Sequence, residues 1–464
     1  MPTELRWVTR REKLRTKFSC ILIFLLLTGM LAVCSNFRQV KAGASSHVGP
    51  VQAADTDWWP MFRHDLAHSG YSTSAAPLTN QRLWAYGTGG CIYSSPAVAG
   101  GIAYVGSEDY GVYALNATTG AKVWEYVTGG PVDSSPAVAG GIVYVRSGYP
   151  DDNVYALNAV TGARVWNYTF GGPVGSNPSL SSPAVSEGLV YIGSTDGVYA
   201  LNASTGALVW NYAAFSVGSS PAVANGIVYV GSGDQNVYAL NAATGTLVWK
   251  YATRDYVMSS PAIAGGIAYV GSDDYYVYAL NAATGTLVWK YATRYWVESS
   301  PAVVDGTVYV GSDDGNVYAL NAATGTSVWK CSVQGGVASS PAVAGGVVYV
   351  GGQVFVYALN ASTGAQVWSF RYGSSGGPDW SSPAVVDGKV YVGFIDGTVY
   401  ALKTGSPSPA TGFPFTDQII ARAPIILAAA LATIIAMAVV VVRRRKRRTQ
   451  HGREPETPAT PEKA

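Results

Sequence analysis

The chain of 464 residues carries 30 Lys/Arg against 28 Asp/Glu, a formal net charge of +2, and only 12% of its residues are charged. Its 54 glycines and 12% aromatic content suit many short strands joined by tight turns. Four histidines are too few to supply a credible Ser/His/Asp centre, and four cysteines make no disulfide framework.

Residues 1–44 predict an export signal. Arg6, Arg10, Arg11, Lys13, Arg15 and Lys17 form a basic flank, residues 18–33 are mostly apolar and uncharged, and Ala42-Gly43-Ala44 fits a small-residue cleavage site. Two rival signals fit less well. In Leu31-Ala32-Val33-Cys34, which is similar to a lipoprotein box, Val33 stands where a small residue is usual. In the twin-arginine pattern at Thr9-Arg10-Arg11, Lys13 follows where an apolar residue is common. The secretory reading leaves open whether the segment is cleaved or stays as an anchor. Cys91 and Cys331 fall in the first and sixth repeats described below, too far apart to predict a disulfide between them. Residues 45–80 form a lead-in; its His64 and His68 are spaced i, i+4, but no third metal ligand accompanies them, and packing is the expected role.

Residues 81–405 are built on a repeat. The sequence 259–291 returns almost unchanged at 299–331, and a Ser-Ser-Pro-Ala run occurs eight times, its proline at 96, 136, 183, 221, 261, 301, 341 and 383. Such a period overrides the roughly three domains that length alone suggests. Each unit holds four alternating runs of strand type. In 259–291 they are the stretch around Pro261, which belongs at a strand start or edge, then the runs at 267–272, 277–280 and 286–291. Gly265-Gly266, Ser272-Asp273-Asp274 and the Asn281–Gly285 segment supply the turns. Four antiparallel strands in about 40 residues make one propeller blade. Trp84, Trp124, Trp166, Trp210, Trp249, Trp289, Trp329 and Trp368 recur in the fourth strand, where each can wedge between adjacent blades. Only seven copies of Thr-Gly-x-x-Val-Trp exist, and the last unit stops at Gly405 without a fourth strand. Residues 81–86, which read as a fourth strand ahead of the first repeat, are expected to complete the eighth blade and leave no free edge. The predicted fold is thus an all-β, eight-bladed β-propeller of four-stranded antiparallel blades, closed by an N-terminal strand.

The motif Ala-Leu-Asn-Ala-x-Thr-Gly-x-x-Val-Trp, as at 279–289, resembles the repeat of quinoprotein-type (PQQ-like) propellers, with Asn in place of the usual Asp. The resemblance covers about 58–405 and extends to the lead-in at 57–70, which in that family packs against the propeller. The family includes PQQ-dependent alcohol and glucose dehydrogenases and also non-enzymatic members such as the propeller lipoprotein of the outer-membrane β-barrel assembly machinery. The enzymes use a catalytic Asp, a Ca²⁺ held by Glu and Asn, a Trp under the quinone and, often, adjacent cysteines. Here no two cysteines are adjacent and no long insertion interrupts the blades. The longest inter-blade stretch, 169–180, has no titratable side chain. Asp109, Asp196, Asp234, Asp274, Asp314 and Asp396 recur at one turn, which predicts a hairpin role and not six active sites. No catalytic, cofactor-binding or metal-binding residue is assigned.

Beyond the propeller, 406–422 is a Pro/Ser-bearing linker, and 423–442 runs 20 residues without a charge, long enough to cross a bilayer as a helix. The run of six Lys/Arg at 443–448 marks a cytoplasmic flank, and the basic tail ends at 464. The predicted protein is single-pass, with its propeller on the extracellular or periplasmic side. Over 82–405 there are 12 Lys/Arg against 19 Asp/Glu, a balance of −7, which disfavours nucleic acid. Four sequons, at Asn116, Asn167, Asn202 and Asn360, are matched by a turn role for three of those asparagines. Differences between repeats gather on one face: Arg254, Asp255, Tyr256, Tyr275, Tyr276, Arg294, Tyr295, Trp296, Glu298 and Trp380, with Tyr110 and Tyr149. Tyr, Trp and Arg dominate binding hot spots, although loops also vary because they tolerate change. The expectation is a monomeric, non-catalytic scaffold for a protein or glycan partner outside the cell, with a carbohydrate-binding surface protein or a PQQ-dependent dehydrogenase as alternatives.

Overall fold

The structure is a computed structural model that describes residues 57–171, 181–371 and 380–404. The export signal at 1–44, the linker at 406–422, the apolar span at 423–442 and the tail at 443–464 lie outside the described residues. Those described contain strands and turns and no helix.

The strands form eight sheets. The fifth is representative: Ala262–Ala264, Ile267–Gly271, Tyr276–Asn281 and Leu287–Ala292 pair in sequence order, all antiparallel. The Gly265-Gly266 turn joins the two innermost strands with φ of +56° and +76°, a left-handed pair whose twist matches the hairpin. At the Asn281 turn, the side-chain Oδ1 accepts from the N–H groups of Ala283 and Thr284, both at 3.0 Å. Asn116, Asn202 and Asn360 do the same in their own blades.

The strand Gln81–Gly87 pairs antiparallel with Thr398–Lys403, so the first strand of the repeat region and the last share the eighth sheet. Blade-to-blade contact explains the rest of the motif. Each recurring tryptophan lies opposite the small alanine of the third strand's Ala-Leu, as Trp289 does opposite Ala279 and Trp84 opposite Ala401, and is under a tenth exposed. Except at Trp368, its ring covers the Thr-Gly turn of the following blade; a Cβ on Gly325 would stand 2.6 Å from Trp289. Its indole N–H donates to the next blade's Asn-Ala carbonyl: Trp124 to Ala159, Trp166 to Ala203, Trp210 to Ala242, Trp249 to Ala282, Trp289 to Ala322 and Trp329 to Ala361, at 2.8–2.9 Å. A tyrosine hydroxyl from the second strand shares each acceptor, as Tyr269 does at Ala322. At the join, Trp84 and Tyr391 both donate to Ala117 of the first blade. Trp368 and Tyr349 find their acceptor in the lead-in, at the Pro77 carbonyl.

The axis is closed a second time by serines. The N–H of Ser95 donates to Ser135 Oγ, and the same bond runs on through Ser182, Ser220, Ser260, Ser300, Ser340 and Ser382 back to Ser95, eight bonds of 2.8–3.0 Å. One feature departs from the four-stranded expectation. In the seventh sheet Tyr71–Ser72 adds a fifth, parallel strand on Ala342–Ala344. The inner strand of every blade has an edge facing the axis, and backbone groups buried there need partners.

Candidate functional site

The two ends of the axis are chemically different. The lead-in fills the end beyond the serine ring. Trp59 exchanges backbone hydrogen bonds with Val98, and the carbonyls of Pro60, Leu66, Ala67, Ser69 and Gly70 accept from Val138, Val223, Ile263, Val303 and Val343. Arg63 is 1% exposed and donates to the carbonyls of Pro341 and Pro301. Burial lowers its pKa to about 9. His68 is equally enclosed, and burial, with the Arg63 charge behind it, lowers its pKa to about 4. It pairs with the Pro261 carbonyl at 3.1 Å, whereas His64 lies 2.9 Å from Asp57. The two histidines therefore face different partners, and among the described residues no three His, Cys, Asp or Glu side chains are grouped to hold a metal.

The other end carries the turns between second and third strands and the loops that lead into the serines. The recurrent turn aspartates are occupied: Asp109, Asp234, Asp274 and Asp314 accept from the hydroxyls of Tyr113, Tyr238, Tyr278 and Tyr318, and Asp196 from Tyr199, at 2.6–2.7 Å. The residue before each of these in the fifth and sixth blades behaves differently. Asp273 and Asp313 turn their N–H groups to the carbonyls of Tyr256 and Trp296. Asp273 is 8% exposed, and its Oδ1 has no hydrogen-bond partner. Burial first, then the neighbouring charges of Asp255, Asp313 and Asp274, push its pKa up to about 7. Glu298, directly before the Ser299-Ser300 pair, is pushed up to about 8 by burial and then by Asp313 and Asp273. A smaller acidic pair sits in the first and second blades, where burial and Glu108 raise Asp133 to about 6. Of the acids on this rim, the sequence placed Glu298 and Asp255 on the candidate face, whereas Asp273, Asp313 and their grouping with Glu298 were not read from it.

Around the rim the structure distributes the sequence-derived candidates as follows. Arg254, Asp255 and Tyr256 follow Leu247–Ala252, and Arg294, Tyr295 and Trp296 follow Leu287–Ala292. Tyr275 and Tyr295 stack, with centroids 5.6 Å apart and planes 13° apart, and Tyr295 leans on Trp296 at 4.8 Å. Tyr256, Tyr275, Tyr295 and Trp296 are 39–49% exposed. Trp380, exposed in the loop before Ser381, stands apart in the eighth blade. Tyr276 opens the strand Tyr276–Asn281, and its ring lies under the Lys290 ammonium at 4.2 Å, a contact within the blade.

The raised acids make stability pH-dependent. Both groups bind protons more tightly folded than unfolded, so their contribution is whole below about pH 4 and is lost as pH rises toward 8, because the unfolded chain releases its protons first. The Asp273→Asn, Glu298→Gln double variant is expected to lose less stability than the parent between about pH 5 and pH 8.5, read from thermal melts. An unchanged difference between the two pH values would show that these acids do not titrate in that window.

The group implied by the family resemblance fits this end poorly. Pyrroloquinoline quinone is a tricarboxylate, and this rim carries Asp273, Asp313 and Glu298; the Asp313 charge raises the pKa of both Asp273 and Glu298, and Asp273 adds to the rise at Glu298. Cys91 and Cys331 are both free, each without a neighbouring cysteine.

A family model described as outer membrane protein assembly factor BamB matches residues 69–216, 198–296 and 296–410. No curated protein matches the chain. Among solved structures, BamB from Moraxella catarrhalis superposes with a TM-score of 0.59 at 20% identity, covering 72% of this chain and 100% of that one. A quinohemoprotein alcohol dehydrogenase from Comamonas testosteroni gives 0.63 at 19%, covering 78% and 83%. A europium-containing methanol dehydrogenase gives 0.64 at 15%, covering 75% and 98%. At these identities the structures share the fold with this chain, and the fold occurs both in an assembly factor and in dehydrogenases. The family match runs across the repeat region that holds the Thr-Gly-x-x-Val-Trp units of the interblade contacts: this chain belongs to the family of the outer membrane protein assembly factor BamB.

Proposed function

We propose that the protein is a non-catalytic interaction scaffold, exported by its N-terminal segment and held in the membrane by residues 423–442, with the propeller outside the cytoplasm. The observation that carries this reading is the cluster Tyr256, Tyr275, Tyr295 and Trp296, large rings exposed on short loops of a ring-closed frame. Tyr275, Tyr295 and Trp296, already packed against one another, lose little entropy on binding, and such rings are typical anchors of protein interfaces. The filled axis supports the same reading: Arg63 and His68 occupy one end, and carboxylates crowd the other.

Two measurements test it. Incubating the purified chain with pyrroloquinoline quinone and Ca²⁺ is expected to give neither stoichiometric chromophore uptake nor dye-linked oxidation of alcohols or sugars. Turnover would replace the scaffold reading by the dehydrogenase one. Affinity capture from envelope extracts is expected to retain a protein partner that Trp296→Ala loses. Capture unchanged by that substitution removes the aromatic cluster from the interface, and glycan-array binding abolished by it would make the ligand a carbohydrate.

A further inference from the structure

The carboxylates and the aromatic rings of the fifth and sixth blades are joined by backbone. The Asp273 N–H bonds the Tyr256 carbonyl, the Asp313 N–H bonds the Trp296 carbonyl, and the Thr293 N–H bonds the Tyr275 carbonyl. The acids and the rings are therefore fixed on one rim. Asp273 is more than nine-tenths buried with an oxygen that nothing satisfies. A buried carboxylate without a donor is costly, and here its charged neighbours are carboxylates as well. The arginines of these loops do not relieve it. Arg254 and Arg294 donate their backbone N–H groups to Asp274 and Asp314, and their charges act on the Tyr278 and Tyr318 hydroxyls.

We propose that the rim formed by Asp273, Glu298 and Asp313, with the stacked Tyr275 and Tyr295 and the adjacent Trp296, binds an arginine or lysine side chain of a basic protein segment. This rests on the scaffold reading and specifies the chemistry of its partner. A guanidinium supplies several N–H donors to separated carboxylates and lies flat on an aromatic face, so one side chain answers both halves of the rim. A bare metal ion answers only the acids, and no group of three ligands is arranged for one among the described residues. The balance of −7 over 82–405 adds long-range attraction for a positively charged segment. Bringing a cation to Asp273 and Glu298 favours their ionised forms, so binding releases protons and strengthens as pH rises. Asp255, Asp274 and Asp313 are the other acids acting on this pair.

The test is a fluorescence titration of the full chain, in detergent at low ionic strength, with a Gly/Ser peptide carrying two arginines, against the same peptide with citrulline in their place. The arginine peptide is expected to bind at least about tenfold more tightly, a difference of about 1.4 kcal/mol. That preference should disappear in the Asp273→Asn, Glu298→Gln double variant, weaken in Trp296→Ala and persist in Asp305→Asn, a turn at the opposite end of the blade. Raising the pH from about 6 to about 8.5 should tighten binding in the parent and not in the double variant. Equal affinity for the two peptides, or an arginine preference untouched by the double variant, overturns the proposal. So does saturable Ca²⁺ binding at this rim with no response to the peptide. If the peptide fails while extract capture still depends on Trp296, only this inference falls; if the peptide binds and quinone-dependent turnover is found, only the scaffold reading falls.

Discussion

Replacing Trp289 by alanine is expected to lower the free energy of unfolding by about 3–5 kcal/mol, the range for a large buried aromatic side chain. The residue is 8% exposed and belongs to a cluster drawn from two blades, with Tyr269, Val277 and Ala279 on one side and Val308, Val310, Tyr318 and Leu320 on the other. Its loss leaves a cavity at a blade interface and removes one of the two donors, with Tyr269, on the Ala322 carbonyl. Gly325→Ala reports on the same contact from the other side, because its Cβ would meet the Trp289 ring at 2.6 Å in a backbone with φ of +71°. Urea unfolding of both variants measures the effect. A loss below about 1 kcal/mol for Trp289→Ala would mean that the interblade wedge is not where the stability lies.

A chain beginning at residue 88 is expected not to fold cooperatively. It lacks Gln81–Gly87, and with it the whole register from Gln81 opposite Lys403 to Gly87 opposite Thr398. It lacks Trp84 on the first blade, the Pro77 carbonyl that receives Trp368 and Tyr349, and the lead-in bonds to six inner strands. The loss exceeds the roughly 5–15 kcal/mol by which a domain is stable, and the uncovered edge of Thr398–Lys403 invites association. A chain beginning at residue 73 keeps the closing strand and loses only the axial segment, so it is expected to fold with a lower urea midpoint. Circular dichroism and gel filtration distinguish the three chains. A sharp transition at the parent midpoint for the shortest one would refute closure by the N-terminal strand.

Much of the fold was legible because it is written eight times. The alternation around Ile267–Gly271 and Tyr276–Asn281 and the glycine pair at 265–266 determine a blade locally. The missing fourth strand after Gly405 sends the reader back to 81–86 by counting alone. Of the rim, the aromatic rings and Glu298 were legible as variable positions on one face, and the place of Asp273 was not. Asp273 and Asp274 are adjacent in one turn and identical in type, yet Asp274 accepts from Tyr278 while Asp273 lies unpartnered beside the acids of the next blade. A shift of one residue decides which way a side chain faces in extended chain, and the turn itself carries no mark of what stands across from it.

By itself, then, the sequence determined the blade, the number of blades and the way they close, because strand period, turn chemistry and a repeated tryptophan are properties of neighbouring residues. Only the tertiary structure decided the path of residues 59–72 along the axis, the serine ring, and the meeting of Asp273 with Glu298. These depend on groups from separate blades sharing one axis, where burial and the charge of distant residues set what each side chain can do.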